Sequence, residues 1–288
     1  MRFRWDWLRP VVTAPFVPTI GPVHPSVLTE DLFTDTLVAA SSARFLRYDK
    51  DIRWADAKDE SVLVEDLVHR PGETLIPTLS RRGPGTIKVH VYGAQPDTLL
   101  VASELAEKLC AVQGAAKARI VRFLGPESSQ GRGTRIQLKD FRTQHCPAPS
   151  GPVREFSDWP AAVQRDFDTF AERMAPDGFR FLHGRMQAGT VGPVLMVGQR
   201  GRVAGAIGPM EIRPDAIGAN QLMPQYFGVL PEYRGQGLGR LLWRAAMHWG
   251  QSHGAAYQLL QTEVGGASDR LCRAEGLHSL GFTYSQPA

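Results

Sequence analysis

Val229-Leu230-Pro231-Glu232-Tyr233-Arg234-Gly235-Gln236-Gly237-Leu238-Gly239-Arg240 is the stretch that decides how the second half of this chain is read. It follows a short β-like run, Gln225 to Val229, and enters a segment, Gly237 to His253, with a helical apolar stripe. Leu238, Leu241, Leu242, Ala245, Ala246 and Trp249 make up that stripe, and Gly254 stands where the helix should stop. A glycine-rich turn that runs into a helix start exposes backbone N–H groups, and the helix dipole adds positive potential. Gly235, Gly237 and Gly239 carry no Cβ, so an anion can reach the main chain and the turn can take positive φ. The stretch reads as an anion cradle.

The choice of anion follows from what the spacing lacks. A P-loop would continue Gly-Lys-Ser/Thr, and no such residues follow. A dinucleotide turn would need a glycine where Arg240 stands. The pattern present is Arg/Gln-x-x-Gly-x-Gly, preceded by Val-x-Pro-x-Tyr, and it resembles the acyl-CoA-binding motif of the GNAT acyltransferases. That resemblance implies that Arg234, Gly235, Gln236, Gly237, Leu238, Gly239 and Arg240 hold the pyrophosphate of an acyl-CoA. It also implies that Phe227, Gly228 and Val229 pair with the pantetheine as an added strand would. Downstream, a strand over Ala256 to Val264, a helix over Ser268 to Leu280 and a short strand from Phe282 resemble the family's second CoA-binding segment. There the strand splays from the preceding one to open a slot for the thioester. The implied fold is α/β with a mixed sheet and splayed central strands, over residues 151–288.

Two features depart from the family pattern. Many GNATs place a tyrosine on the last helix as the acid that protonates the leaving thiolate, and that position here is Leu277. His278, Cys272 and Tyr284 are the nearby stand-ins. The chain also ends six residues after Phe282, where the family normally adds another strand pair; the first half of the chain, or a second subunit, would then wall the acceptor site.

The implied activity is an N-acyltransferase that moves an acetyl or other acyl group from acyl-CoA to the amine of a small molecule or amino acid by direct attack. An alkylamine is mostly protonated near neutral pH, so a base must take its proton. Glu263, on the strand facing the slot, and Glu211, at the end of an earlier strand, are the candidates, and the N–H of Val229 is the expected oxyanion donor. No spacing suggests a covalent acyl-enzyme. Two other readings stand beside this one: an amide-forming transferase on the same fold that takes its acyl group from a charged tRNA, and a non-catalytic acyl-CoA-binding domain.

At 288 residues, 43% hydrophobic and 22% charged, the chain has material for two domains. Three prolines and a glycine in Cys146 to Pro152 place the boundary there, giving 1–147 and 151–288. In the first part, Thr86 to Gly93, Ala118 to Gly125 and Arg135 to Phe141 read as strands, and Asp97 to Val112 as a helix stopped by Gly114. This is an α/β module whose element order allows a degenerate GNAT copy. Its turn Gly93-Ala94-Gln95-Pro96 has no phosphate-loop glycines, so it should not bind CoA. The second part also holds a helix from Ser157 or Asp158 to about Met174, a strand from Pro193 to Val197 and another from Val203 to Ile212.

Segment 108–142 holds Lys108, Lys117, Arg119, Arg122, Arg132, Arg135, Lys139 and Arg142 against Glu127 and Asp140. That excess would supply phosphate contacts in the tRNA reading, although a solvated surface is the plainer account. Cys110, Cys146 and Cys272 are too few and too scattered for a disulfide framework or a zinc site, so no metal is expected and a reducing cytoplasm is the default. No apolar run is long enough to cross a membrane, and the N-terminus lacks a signal-peptide core. The oligomeric state is open between monomer and homodimer.

Overall fold

The computed structural model describes residues 3–93, 97–128 and 133–288. From the N-terminus these form α1 (Trp5–Leu8), β1 (Phe16–Val17), β2 (Gly21–Pro22), α2 (Glu30–Ser41), β3 (Glu60–Val62), β4 (Val68–Arg70), β5 (Glu73–Ser80) and β6 (Thr86–Gly93). Next come α3 (Thr98–Gln113), β7 (Lys117–Leu124), β8 (Thr134–Asp140), β9 (Val153–Glu155), α4 (Ala161–Arg173), α5 (Phe179–Gln187), β10 (Leu195–Gln199) and β11 (Arg202–Gly208). The chain finishes with β12 (Ile212–Pro214), β13 (Asn220–Leu222), β14 (Tyr226–Val229), α6 (Leu238–Ser252), β15 (Tyr257–Glu263), α7 (Ala267–Ala274) and β16 (His278–Pro287). Among the described residues no helix is long and apolar enough to cross a membrane.

These elements gather into two compact units. The first comprises residues 1–138, 215–217 and 259–288; the second comprises 139–214 and 218–258. The units do not follow the proline-rich segment, although Cys146 to Pro152 carries no helix or strand. The end of the chain joins the first unit because β16 finds both its ladder partners there. It pairs antiparallel with β7, from Phe282↔Leu124 to Pro287↔Arg119, and with β8, from His278↔Leu138 to Thr283↔Thr134. A strand of the first half thus lies between β15 and β16, and β16 lies between two strands of the first half. The helix expected over Ser268 to Leu280 stops at Ala274, and Gly276 takes φ +75°. His278 to Leu280 are strand instead, because β8 pairs with this stretch at His278↔Leu138 and Ser279↔Gln137.

In the first unit the sheet runs β15, β8, β16, β7, β6, β5, β3, with β4 also on β5. Side-chain alternation divides its two faces. Ile87, Val89, Val91 and Ile120 pack with Ala102, Ala106 and Leu109 of α3. Ile76, Tyr92, Val121 and Phe123 pack under Leu8, Val17, Phe33 and Leu37 of the N-terminal segment. Pro77 sits within β5 at no cost to the ladder. Its carbonyl accepts from Leu63 at 2.9 Å, so its nitrogen faces the gap between the stretch paired with β4 and the stretch paired with β3.

In the second unit β14, β11, β10 and β9 form an antiparallel sheet in that order. Met196 and Ala206 meet Val163, Phe167 and Phe170 of α4 and Phe179 and Leu182 of α5. On the other face α6 lies close over β11, because Gly205 has no side chain; a Cβ there would sit 3.0 Å from Leu242 and 2.9 Å from the Gly228 carbonyl. β12 and β13 make a hairpin, and β13 pairs in parallel with the first residues of β15, Gln221↔Tyr257 and Leu222↔Gln258.

Candidate functional site

The glycine-rich stretch lies between β14 and α6, all within the second unit. Pro231–Tyr233 make one tight turn, Arg234 is extended, and Gly235 and Gly237 take φ +76° and +80°. Gly237 caps α6 with no side-chain bond. Consequently the backbone N–H groups of Gly235, Gln236, Gly237, Leu238 and Gly239 have no acceptor among the described residues. A Cβ on Gly235 or Gly237 would meet no protein atom within 4 Å. These two glycines therefore keep open a space outside the protein, and no internal packing demands them. Consecutive unmatched donors at the start of a helix whose dipole points the same way favour an anion.

Side chains fix the loop at several points. Arg234 Nε donates to the Val229 carbonyl at 2.9 Å, and Gln199 Nε2 to Gln236 Oε1 at 3.0 Å. Arg173, at the end of α4, makes a two-pronged bond to Glu232 at 2.6 and 2.8 Å, which holds the Glu232 carboxyl below the usual range.

β14 is an edge strand, and its register decides which of its groups are available. Leu230 N donates to Ala204 O at 3.0 Å, so in the antiparallel ladder Gly228 and Tyr226 also point their polar groups toward β11. Phe227 and Val229 alternate with them and turn theirs to the open edge. Of the three residues expected to pair with a ligand, Gly228 is thus engaged within the sheet. The Val229 carbonyl is used by Arg234, which leaves its N–H and both polar groups of Phe227 at the edge.

The start of β15 belongs to a different sheet from β14. A side-chain bond joins the two segments at their base: Gln258 Nε2 donates to Gln225 Oε1 at 2.7 Å. Gln258 is completely buried, and its own carbonyl oxygen has no partner among the described residues. Glutamines look like solvated surface in a sequence, and only the non-local pairing exposes this contact. The cavity of about 430 Å³ lined by Glu155, Phe156, His183, Met186 and Val194 adjoins β9, at the opposite edge of the sheet from β14, and includes no loop residue. Size alone would favour that cavity; the unmatched donors favour the loop.

The acid–base candidates are dispersed. Glu211 lies in the second unit beside the β12–β13 hairpin, its carboxylate bonded to Arg213 at 2.5 Å. Glu263 ends β15 and is exposed, and His278 opens β16 and is exposed; both belong to the first unit. Leu277 is buried and lies before β16, off any helix. Cys272 is buried in α7, where burial, helped by Asp269, pushes its thiol up to about 12. Tyr284 lies within β16 opposite Arg122. His248 Nδ1 donates to the Cys146 carbonyl, 2.9 Å away, and so ties α6 to the segment after β8, while His253 stacks on Trp249 at the end of α6.

The basic segment is likewise divided. Arg135 bonds Asp269 at 2.7 Å inside the first unit. Burial alone would raise the Asp269 carboxyl, but the Gly265 N–H and Arg135 outweigh it and hold it low. Arg142 bonds Asp140 at 3.0 Å, and the buried Lys139 lies over the Trp243 ring, both in the second unit. Arg132 and the turn residues Ala94, Gln95 and Pro96 lie outside the described residues.

Residues 155–282 match the model of the acetyltransferase (GNAT) family. No curated protein matches the chain. Among solved structures, a GCN5-related N-acetyltransferase from Sphaerobacter thermophilus is 13% identical, with 87% of this chain and 90% of that chain covered, at a TM-score of 0.47. A tandem GNAT protein from the clavulanic acid biosynthesis pathway is also 13% identical, covering 90% of this chain and 96% of that one at a TM-score of 0.48.

Proposed function

Taking residues 155–282 as a GNAT acetyltransferase domain, we propose that the protein is an N-acyltransferase acting from acetyl-CoA or another acyl-CoA on the amine of a small molecule or amino acid. The observation that carries this reading is the row of unmatched N–H groups from Gly235 to Gly239 beside the open edge of β14.

The loop receives the pyrophosphate, whose charge meets oriented N–H dipoles at the start of α6. The pantetheine then runs back along the edge of β14, reaching Val229 before Phe227, because the loop follows Val229 in the chain. Its amides bond to the free groups of these two residues as an added strand would. The thioester lies toward Phe227, so the N–H of Phe227 succeeds Val229 as the donor placed to meet the developing oxyanion. A neutral amine attacks the thioester carbonyl carbon, the C–N bond forms, and the C–S bond breaks to release CoA thiolate. The amine's proton passes to a carboxylate, for which Glu263 and Glu211 are the proposed acceptors. A thiol with an ordinary pKa of about 8.5 leaves readily, so His278 or solvent suffices as the proton source. Cys110, Cys146 and Cys272 form no disulfide among the described residues, which suits a reducing cytoplasm.

Titration calorimetry with acetyl-CoA, followed by thiol release in the presence of an amine panel, tests this reading. We expect saturable acetyl-CoA binding and amine-dependent thiol release, reduced at least about tenfold by Glu263→Gln or Glu211→Gln. Failure to bind acetyl-CoA or CoA at about millimolar concentration would overturn the donor assignment.

A further inference from the structure

Ala175-Pro176-Asp177-Gly178-Phe179-Arg180-Phe181 turns the chain from α4 into α5, and none of the chemistry above uses it. α4 ends at Arg173, Ala175–Asp177 make one tight turn, and Gly178 takes φ +84° before the first residue of α5. This corner sits directly on β14. A Cβ on Gly178 would run into the Tyr226 ring, and one on Gly228 would lie 2.5 Å from Met174 and 2.9 Å from Phe179. Gly178 is therefore required twice, by its positive φ and by the ring pressed against it. Corner and strand belong to the same unit, the second.

Strand alternation sends the side chains of β14 to two faces. Phe227 turns to the α6 face, where a Cβ on Gly239 would stand 3.4 Å from its ring. Tyr226 turns to the opposite face, toward α5. Its ring centroid lies 6.4 Å from that of Phe179 and 6.3 Å from that of Phe181. Tyr226 is half-buried, so part of this ring reaches solvent beside the open edge of the strand.

The two phenylalanines of the corner fare differently. Phe179 is completely buried and packs edge-on against Phe170 at 4.9 Å. Phe181 is 45% exposed, and it is the one aromatic side chain classed as exposed among the described residues. The helical period explains the difference: Phe179, Leu182 and Met186 form the inward stripe of α5, and Phe181 falls outside it. Lysine or glutamate would suit both helix and solvent better at such a position, so core packing does not account for the phenylalanine. Exposed apolar side chains scattered singly are ordinary. Phe181 is not single: it extends the Tyr226 ring into a continuous aromatic surface, next to the strand edge where Phe227 keeps its N–H.

We propose, resting on the acyl-CoA reading above, that the amine acceptor carries an aromatic ring and that Phe181 and Tyr226 hold that ring on the α5 face of β14. The glycine loop leads into α6, so the donor approaches the strand edge from the Phe227 side and leaves the Tyr226 side to the acceptor. The acceptor's ring lies against Phe181 and Tyr226, and its amino nitrogen reaches past Tyr226 to the thioester at Phe227. The transfer itself is unchanged: the C–N bond forms, the C–S bond breaks, the amine's proton passes to a carboxylate and CoA thiolate leaves. Ring-to-ring contact with the area it buries corresponds to a preference of at least about tenfold over a short aliphatic stem.

The test compares 2-phenylethylamine with n-butylamine as acceptors for the full chain at saturating acetyl-CoA, by initial rates of thiol release. We expect kcat/KM at least about tenfold higher for the ring-bearing amine. Phe181→Ala should lower that value about tenfold, mostly through KM, and leave the n-butylamine value within about twofold; Phe181→Trp should keep the preference. Amide NMR shifts at Phe181 and Tyr226, on titrating 2-phenylethylamine into the CoA-saturated protein, give a readout that needs neither turnover nor a variant. Equal kcat/KM for the two amines, equal losses for both in Phe181→Ala, or no shift at these amides would each overturn the proposal and leave the donor assignment standing. Acetyl-CoA binding without thiol release from 2-phenylethylamine would do the same. Failure to bind acetyl-CoA would overturn both.

Discussion

β6 and β7, joined through α3, are paired in parallel from Thr86↔Lys117 to Val91↔Arg122, whereas β14 and β15, joined through α6, lie in different sheets. Both are strand–helix–strand crossovers preceded by an antiparallel neighbour, β5 in the first case and β11 in the second. The first closes completely, and its strands bury apolar residues on both faces. The second stays open because each strand has another partner. β14 is held by β11, and β15 begins on β13, supplied by the hairpin inserted between β11 and β14. An open crossover exposes edge N–H groups that a closed one consumes, and such groups persist only if solvent or a ligand satisfies them. That difference makes one crossover a scaffold and the other a candidate site.

The largest expected effect comes from closing the space the loop keeps open. In Gly235→Ala/Gly237→Ala both residues must hold positive φ with a Cβ directed where nothing else lies. We expect CoA affinity to fall at least about a hundredfold, roughly 3 kcal/mol, by calorimetry. Gly254→Ala, at φ +82° after α6, carries similar backbone strain away from the loop and should leave CoA affinity alone. Equal losses in both variants would show that strain, and not the cradle, is responsible.

The closed crossover offers the next effect. His90 is buried in β6 with its ring 3.2 Å from the Ile76 carbonyl, and burial lowers its pKa to about 4. A folded-state pKa below the unfolded value means the unfolded chain binds more protons between about pH 6.5 and 4. Stability is therefore complete above about pH 6.5 and is lost as pH falls toward 4, by up to about 3 kcal/mol. Denaturant unfolding at stepped pH should show this slope, and His90→Gln should flatten it; an unchanged slope would assign it to other groups.

A smaller effect tests the base of the open crossover. A double-mutant cycle on Gln225→Leu and Gln258→Leu, read by CoA affinity and thermal unfolding, should return a coupling of about 1 kcal/mol. Zero coupling would mean that this bond does not hold the two segments together. The smallest effect belongs to Arg173→Ala: the pair with Glu232 is surface-exposed, so CoA affinity should change less than about twofold and the change should vanish at high salt. A tenfold loss would show that the pair orders the loop.

Much of this was legible locally. α6 spans 238–252 because its stripe repeats at the helical period, and β6, α3 and β7 fall within a residue or two of the segments their periodicity outlines. The glycine-rich turn between a strand and a helix start was read in place, and Gly235 and Gly237 take the positive φ their type allows. β5 was not legible, because Pro77 argues against a strand until its nitrogen is seen to face a gap. α5 was missed because Gly178 and Gly184 dilute its stripe. β16 was misread from His278 to Leu280 because the partner that extends it there, β8, lies more than 130 residues earlier.

The sequence by itself determined the local form of the loop: glycine spacing, a strand before and an amphipathic helix after are properties of neighbours along the chain, and the pyrophosphate proposed for it comes from the resemblance that this pattern carries. Tertiary structure decided which groups are free to use it. Ladder register turned Gly228 inward and left Phe227 and Val229 at the edge, and strand exchange through β8 and β16 drew the end of the chain into the first unit. Hydrogen-bond pairing between distant strands depends on which edges remain unpartnered, and no local pattern of residues encodes that.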